Sequence, residues 1–547
     1  MCRFVRNMPV KVQFYLVEEV FMSKFRFKTI MPDIGDRLVG RVESRGFNIV
    51  CVITICLLNI VWFLPLMGQG AIMGDDIGVF TTVDFGNRAL WQEFLYQGSN
   101  RYRPIFELIL NLYSRVFGNV YELYFLANIA VNMVLSVAIF FLIKRVTRGN
   151  FLFAASGVFL YVLAPFSYYQ ILQVIGVLES YSLLFLVLMM HELLSFWHGK
   201  RLHILSAVLF LTLLIFTHER YVVTAPWCVI IILCSSGTNW KEKIGYSILA
   251  LMPMCLNIFL KEVVFGSRFM EGTAFEPIEF DVLRIISMFI SSLATVVGLN
   301  VGPEYLNGFN FFLYPRRLKL LALAAVGLAF LLFFAYIVTA IIKEKDKKKR
   351  INELKLMFIS VSGIGALILC SSVTIRVEMR WLYAPFVVYL MYLMYVVSKV
   401  KLNVFIRKVK WIPFLRYGCM AALLFVTLVI NYPYQKQIDR IFFPKAMIIS
   451  DNVYESTIDC YGENLADYKL YFVGNHEAEW AVGYPGRSIF DVYFDEQVDF
   501  TFVDSVDQIQ ADYQSIDADQ RKPMKVFVVH EKLLTVQEVG AAQLDWP

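Results

Sequence analysis

Two adjacent carboxylates, Asp75 and Asp76 in "GDDIGVF", stand just past the first long apolar run of the chain, and two arginines, Arg101 and Arg103 in "NRYRPIFE", follow before the next. Paired acids can hold a cation, or one can act as a general base while its neighbour raises its pKa. A guanidinium takes a phosphate by two parallel hydrogen bonds. The competing structural readings are a helix cap for the acids and snorkelling to lipid headgroups for the arginines.

Three more polar clusters interrupt apolar sequence. Glu179 lies in "LQVIGVLESYSLLF", where a lone carboxylate at membrane depth costs at least about 2.5 kcal/mol and so needs a partner or water. His218, Glu219 and Arg220 stand together in "FTHERYV", and Arg376, Glu378 and Arg380 in "TIRVEMRWLYAPF". An internal salt-bridge network explains both clusters equally well. A zinc protease is not supported, because "HERYV" lacks the second histidine of HExxH. No GxxxxGK[ST] or GxGxxG loop is present, so nucleotide hydrolysis has no visible machinery. Seven of the nine cysteines sit in or beside apolar runs, and no CxxC spacing suggests a metal or redox centre.

The elements that must position these residues are membrane spans. Of 547 residues, 58% are hydrophobic and 18% charged, against about 25% charged in a soluble protein. Apolar runs long enough to cross a bilayer fall near 47–67, 122–143, 151–168, 174–196, 202–217, 221–235, 244–264, 318–342, 355–374, 381–398 and 416–432, which predicts an α-helical polytopic membrane protein with about eleven transmembrane helices. With a cytoplasmic amino terminus, the loops "KRVTRGN", "WHGKRLH", "NWKEK", "KEKDKKKR" and "KVKLNVFIRKVK" all fall inside, as the positive-inside rule requires. The acid pair, "RYRP", "HER", "RVEMR" and the tail then share the outer side. This alternation divides the chain into a basic cytoplasmic leader, 1–46, a transmembrane domain, 47–432, with outer loops 68–121 and 265–317, and an extracytoplasmic domain, 449–547. Met22, ahead of "SKFRFK", is a second candidate start.

Residues 451–547 hold nineteen Asp/Glu against six Lys/Arg, so the net charge of +6 hides a basic membrane part and an acidic tail. The positive charge lies in short loops and reads as topology, not as nucleic-acid binding. The tail alternates apolar and polar residues in "KLYFVG", "SIFDVYF", "DFTFVD" and "KVFVVH", which predicts strands of a small α/β domain. "ALWQEFLYQ" and "RYRPIFELILNLYSRVFG" predict two helices lying in the outer interface, and the 265–317 loop is long enough to cover a cavity for an acceptor or a lipid tail.

An acidic pair in the first outer loop, an "RYRP" segment opening a helix, then "HER" and a late "R…E.R" at outer boundaries of a many-span chain resemble the GT-C superfamily. These are polyprenyl-phosphate-sugar-dependent glycosyltransferases, and the likeness is to bacterial members that modify surface glycans or lipids. It covers residues 48–432. The resemblance implies an enzyme of the inner (plasma) membrane in which Asp76 or Asp75 takes the proton of an acceptor hydroxyl. It implies a lipid-linked sugar donor, a lipid or glycan acceptor and an inverting displacement. Arg380, Arg376, Arg101, Arg103 and Arg220 would face the leaving phosphate, while Glu179, Glu219, His218 and Glu378 would orient arginines or bind sugar hydroxyls. Some members use a divalent cation, Mg or Mn, at the acidic motif, which would fall on Asp75 and Asp76.

A transporter or flippase of lipid-linked sugars is the main alternative; it needs polar residues at several depths, whereas the inner halves of these spans read as apolar, and no inverted repeat is visible. A glycan polymerase or ligase would gather its arginines in one large outer loop. A plain anchor for the tail domain would not need so many spans.

Overall fold

The computed structural model describes residues 45–65, 72–81, 89–95, 101–267, 280–301, 311–373, 378–400, 412–436, 442–484, 487–494, 498–517, 521–530 and 535–539. The leader up to residue 44 and Arg376 lie outside the described residues.

The chain is a mostly helical, polytopic membrane protein with a small C-terminal sheet. Seven helices are long and apolar enough to cross a bilayer: Gly46–Phe63, Tyr121–Val146, Val174–Trp197, Trp240–Val264, Arg316–Ile342, Lys347–Ser372 and Met379–Lys399. An eighth crossing is broken, with Phe151–Leu163 and Pro165–Leu172 meeting at 53°. Pro165 causes the break, because the residue before a proline avoids helical geometry and Ala164 is extended at ψ 146. The expected count of eleven is not reached by length. Runs 202–217 and 221–235 form His203–Thr217 and Thr224–Cys234, 15 and 11 residues long, or about 22 and 16 Å at 1.5 Å per residue. The apolar part of the last run is Tyr417–Tyr432.

Exposed apolar stripes mark lipid-facing surface. In Gly46–Phe63 the exposed residues Ile49, Ile53, Leu57 and Val61 recur every fourth position along one face. Tyr383–Lys399 is the opposite case, buried along nearly its whole length at the bundle centre. Around it the spans are joined by a neutral polar network. Asn132 Nδ2 donates to Asn59 Oδ1 at 2.6 Å, Asn59 Nδ2 to Ser136 Oγ at 3.2 Å, and the hydroxyls of Tyr161 and Tyr383 to Asn132 Oδ1 at 2.7 and 3.0 Å. All five residues are buried, so the spans are less uniformly apolar than their hydropathy suggests.

Of the two expected interfacial helices, Pro104–Phe117 forms, with Pro104 at its first turn. "ALWQEF" makes only a 3-10 turn, Leu90–Phe94, because Glu93 turns inward to accept Asn111 Nδ2 at 2.6 Å. In the 265–317 segment, Val282–Val296 is a helix capped by Asp281, with Val282, Ile286 and Ile290 exposed and Ser292, Thr295 and Val296 buried.

In the tail, β1 (Lys469–Val473) lies between β2 (Asp499–Val503) and β3 (Met524–His530), parallel to both, and β4 (Thr535–Val539) adds antiparallel to β3. "SIFDVYF" is not a strand. Asp491 Oδ2 accepts the N–H and hydroxyl of Ser488 at 2.6 and 3.1 Å, which closes a helical turn, Phe490–Tyr493. Only Arg487–Ser488 pairs, in a ribbon with Gly483–Tyr484.

This domain rests on the turn that carries the acid pair. Ser450 Oγ donates to Ile72 O at 2.5 Å and Arg487 Nη1 to Thr81 Oγ1 at 2.9 Å. Gly74, at φ +49°, lies against the Trp480 ring, where an added Cβ would approach to 2.4 Å. Gly74→Ala is expected to destabilise by about 1–3 kcal/mol through backbone strain and that clash, lowering the melting temperature in detergent; adding Trp480→Ala should recover part of the loss.

Candidate active site

Charged residues that are far apart in sequence meet at one end of the bundle. Asp76 is fully buried, and its carboxylate accepts the N–H of Val174 at 2.8 Å and of Ile175 at 3.0 Å. It is a cap, but for a span about a hundred residues away in sequence and not for the helix that follows it. Burial pushes its carboxyl up to about 7, against the pull of the two amides, and the neighbouring Asp75 adds to the rise. Asp75 is less buried, and its charge acts on Arg380 and on Tyr169.

Three guanidiniums are each held by a carboxylate. Arg103 forms a two-point pair with Glu219, Nε to Oε2 at 2.5 Å and Nη2 to Oε1 at 2.7 Å. Arg220 Nη1 donates to Glu179 Oε1 at 3.2 Å, and its plane lies 4.2 Å over the Trp381 ring. Arg380 pairs with Glu378 and sits 4.1 Å over the ring of Tyr169. Burial opposes both charges of the first pair, yet contact with Glu219 holds Arg103 above its ordinary pKa, and contact with Arg103 holds Glu219 well below the usual carboxylate range.

His218 lies between these pairs. Its Nδ1 accepts Arg220 N–H at 3.3 Å, which leaves Nε2 to donate toward Glu179 Oε1, 3.5 Å away, where Tyr221 OH also donates at 3.3 Å to Oε2. Burial, then Arg220 and Arg103, bring its pKa down to about 4. Arg101 shares the same field. Burial and then Arg103 lower it to about 10, with Arg220 and Arg380 adding to the effect.

Asp75, Asp76, Arg101, Arg103, Glu179, His218, Glu219, Arg220, Glu378 and Arg380 therefore share one neighbourhood, and Arg376 lies outside the described residues. Three members have no counterpart in the sequence reading. Tyr169 and Trp381 supply aromatic faces for the arginines, and Lys261, buried on the π-helical turn Leu260–Val264, acts on Glu219. An isolated lysine inside the apolar run "NIFLKEVVF" was the available signal for Lys261. The acid pair does not suit a chelated ion, because two amide donors already occupy the Asp76 oxygens. Among the described residues no three His, Cys, Asp or Glu side chains gather as metal ligands.

Beside Met379, next to the Arg380–Glu378 pair, opens a cavity of ≈ 120 Å³ with largely apolar walls from Leu160, Phe166, Val296, Phe386 and Leu423, and with Asn300 on its lining. Helix Val282–Val296 covers part of it. No protein-family model and no curated protein matches the chain.

Two outcomes follow from the charges. The unfolded chain protonates His218 near its ordinary 6.5 and the folded chain only near 4, so this residue's contribution to stability is present above pH 6.5 and is lost as the pH falls from there to 4. His218→Gln should make the melting temperature fall less steeply than in the wild type across that window. Glu219→Gln, which strips the carboxylate from buried Arg103, should destabilise by about 3 kcal/mol in chemical or thermal unfolding.

Proposed function

We propose that this protein is a membrane glycosyltransferase of GT-C type that moves a sugar from a polyprenyl-phosphate carrier to a lipid or glycan acceptor at the outer face of a bacterial plasma membrane. In this reading the amino terminus is cytoplasmic and the C-terminal domain extracytoplasmic. The observation that carries the proposal is the meeting of an acid turn with carboxylate-held arginines beside an apolar cavity. A donor with a phosphate head and a hydrocarbon tail needs both halves of such a site.

An acceptor hydroxyl loses its proton to a carboxylate of the Asp75–Asp76 turn while its oxygen attacks the anomeric carbon. The bond from that carbon to the phosphate oxygen breaks, its electron pair leaves with the polyprenyl phosphate, and the sugar inverts. Charge grows on the leaving phosphate, and guanidiniums already ordered by Glu219, Glu179 and Glu378 meet it without reorganising. A guanidinium has five N–H donors, more than one carboxylate takes, so pairing and phosphate binding are compatible. No step is routed through a metal.

A carrier for lipid-linked sugars draws support from the polar network at mid-depth. That network is neutral and its members bond to one another, which suits a span-joining role better than a lined path. Membranes bearing the protein should transfer radiolabel from a polyprenyl-phosphate sugar to acceptor. Arg380→Gln should lower the rate about a hundredfold or more, and the double variant Asp75→Asn/Asp76→Asn should fall to background. Transfer by the double variant at the wild-type rate would sink the acid assignment.

A further inference from the structure

We propose that the two acids divide the work: Asp76 is a positioning residue that clasps the acid turn to the broken span at residues 174–175, and Asp75 alone takes the acceptor's proton. The division of labour rests on the glycosyltransferase reading; the clasp itself does not.

The geometry is specific. The first amides of a helix have no acceptor within it, and those of the Val174–Gly176 turn that opens Val177–Trp197 are taken by the two oxygens of one carboxylate. The chain doubles back sharply there, since a Cβ on Gly176 would lie 2.3 Å from the carbonyl oxygen of Gln170. Such a fold cannot offer those amides another backbone partner. Four residues on, Glu179 holds Arg220 and faces His218. On the other side of the acid turn, Gly74 is pinned by Trp480 and Ile72 by Ser450. Asp76 thus ties three elements together: the C-terminal domain's seat, the acid turn and the span that presents Glu179.

A carboxylate bonded through both oxygens in a fully buried position has no face left for an acceptor hydroxyl. Asp75 differs on both counts, being less buried and turned toward the charges of the arginine cluster. The ionisable groups that act on Asp76 from the packed elements are Asp75 on its own turn and Tyr169 on the broken span. A base beside Arg380 stays ionised and ready, whereas the burial of Asp76 works against its ionised form.

Hydrogen exchange on the full-length protein tests the clasp directly. In Asp76→Asn the peptide covering residues 174–175 should exchange about tenfold faster or more, while in Asp75→Asn it should exchange as in the wild type. Val174→Pro deletes one donor from the opposite side. Gln173 is already extended at ψ 144, as the residue before a proline requires, and a proline suits the first helical position. That variant should reproduce the kinetic change of Asp76→Asn with the carboxylate intact.

In transfer assays Asp75→Asn should bring kcat to background with donor KM unchanged, whereas Asp76→Asn and Val174→Pro should keep kcat within about tenfold and raise donor KM. Unchanged exchange in Asp76→Asn overturns the clasp. So does kcat at background in Asp76→Asn with normal kcat in Asp75→Asn. A wild-type protein that transfers no sugar but shows the exchange difference leaves the clasp standing and removes the glycosyltransferase reading alone.

Discussion

A guanidinium taken out of water at the end of an apolar bundle is tolerable only with a carboxylate against it, and this molecule meets that constraint three times over. Arg103 with Glu219, Arg220 with Glu179 and Arg380 with Glu378 join the interfacial helix, the Val174–Trp197 span, the turn after His203–Thr217 and the entry to the central helix. Breaking one pair leaves its partner charged and buried, so each pair fixes the relative placement of two elements. The aromatic faces of Tyr169 and Trp381 limit the guanidiniums further. Rigidity here is what a site for growing negative charge requires, because dipoles and charges that must reorient lose much of their benefit.

The charged residues of this site were legible in the sequence because charge stands out against apolar surroundings. His218, Glu219 and Arg220 needed no periodicity to be noticed, and neither did Glu378 and Arg380. Their partners were not legible. Arg103 meets Glu219 across 116 residues and Arg220 meets Glu179 across 41, and local sequence carries no record of either encounter. The acid pair shows the same limit more sharply. A helix cap and a catalytic base were both reasonable for Asp76, and the structure places a cap, on an element that spacing alone could not nominate.

The span count failed for a related reason. His203–Thr217 and Thr224–Cys234 are as apolar as their neighbours, and composition does not distinguish a crossing from a pair of short helices around a polar turn. What separates them is the His218–Val223 turn, whose charges are drawn inward to Arg103 and Glu179. "SIFDVYF" misled on a smaller scale. Its alternation fits a strand, but one carboxylate, Asp491, reaches back to Ser488 and closes a helical turn instead.

The seat of the C-terminal domain on the acid turn also carries a consequence for how the molecule is made. A chain synthesised from its amino terminus emits Gly74 early, but the indole that packs on it belongs to residue 480. The first loop is therefore begun near the start of translation and finished near its end. Until the last fifth or so of the chain has arrived and folded, the newborn protein carries its acids on an unbraced turn, so the machinery is completed only when the whole polypeptide is present.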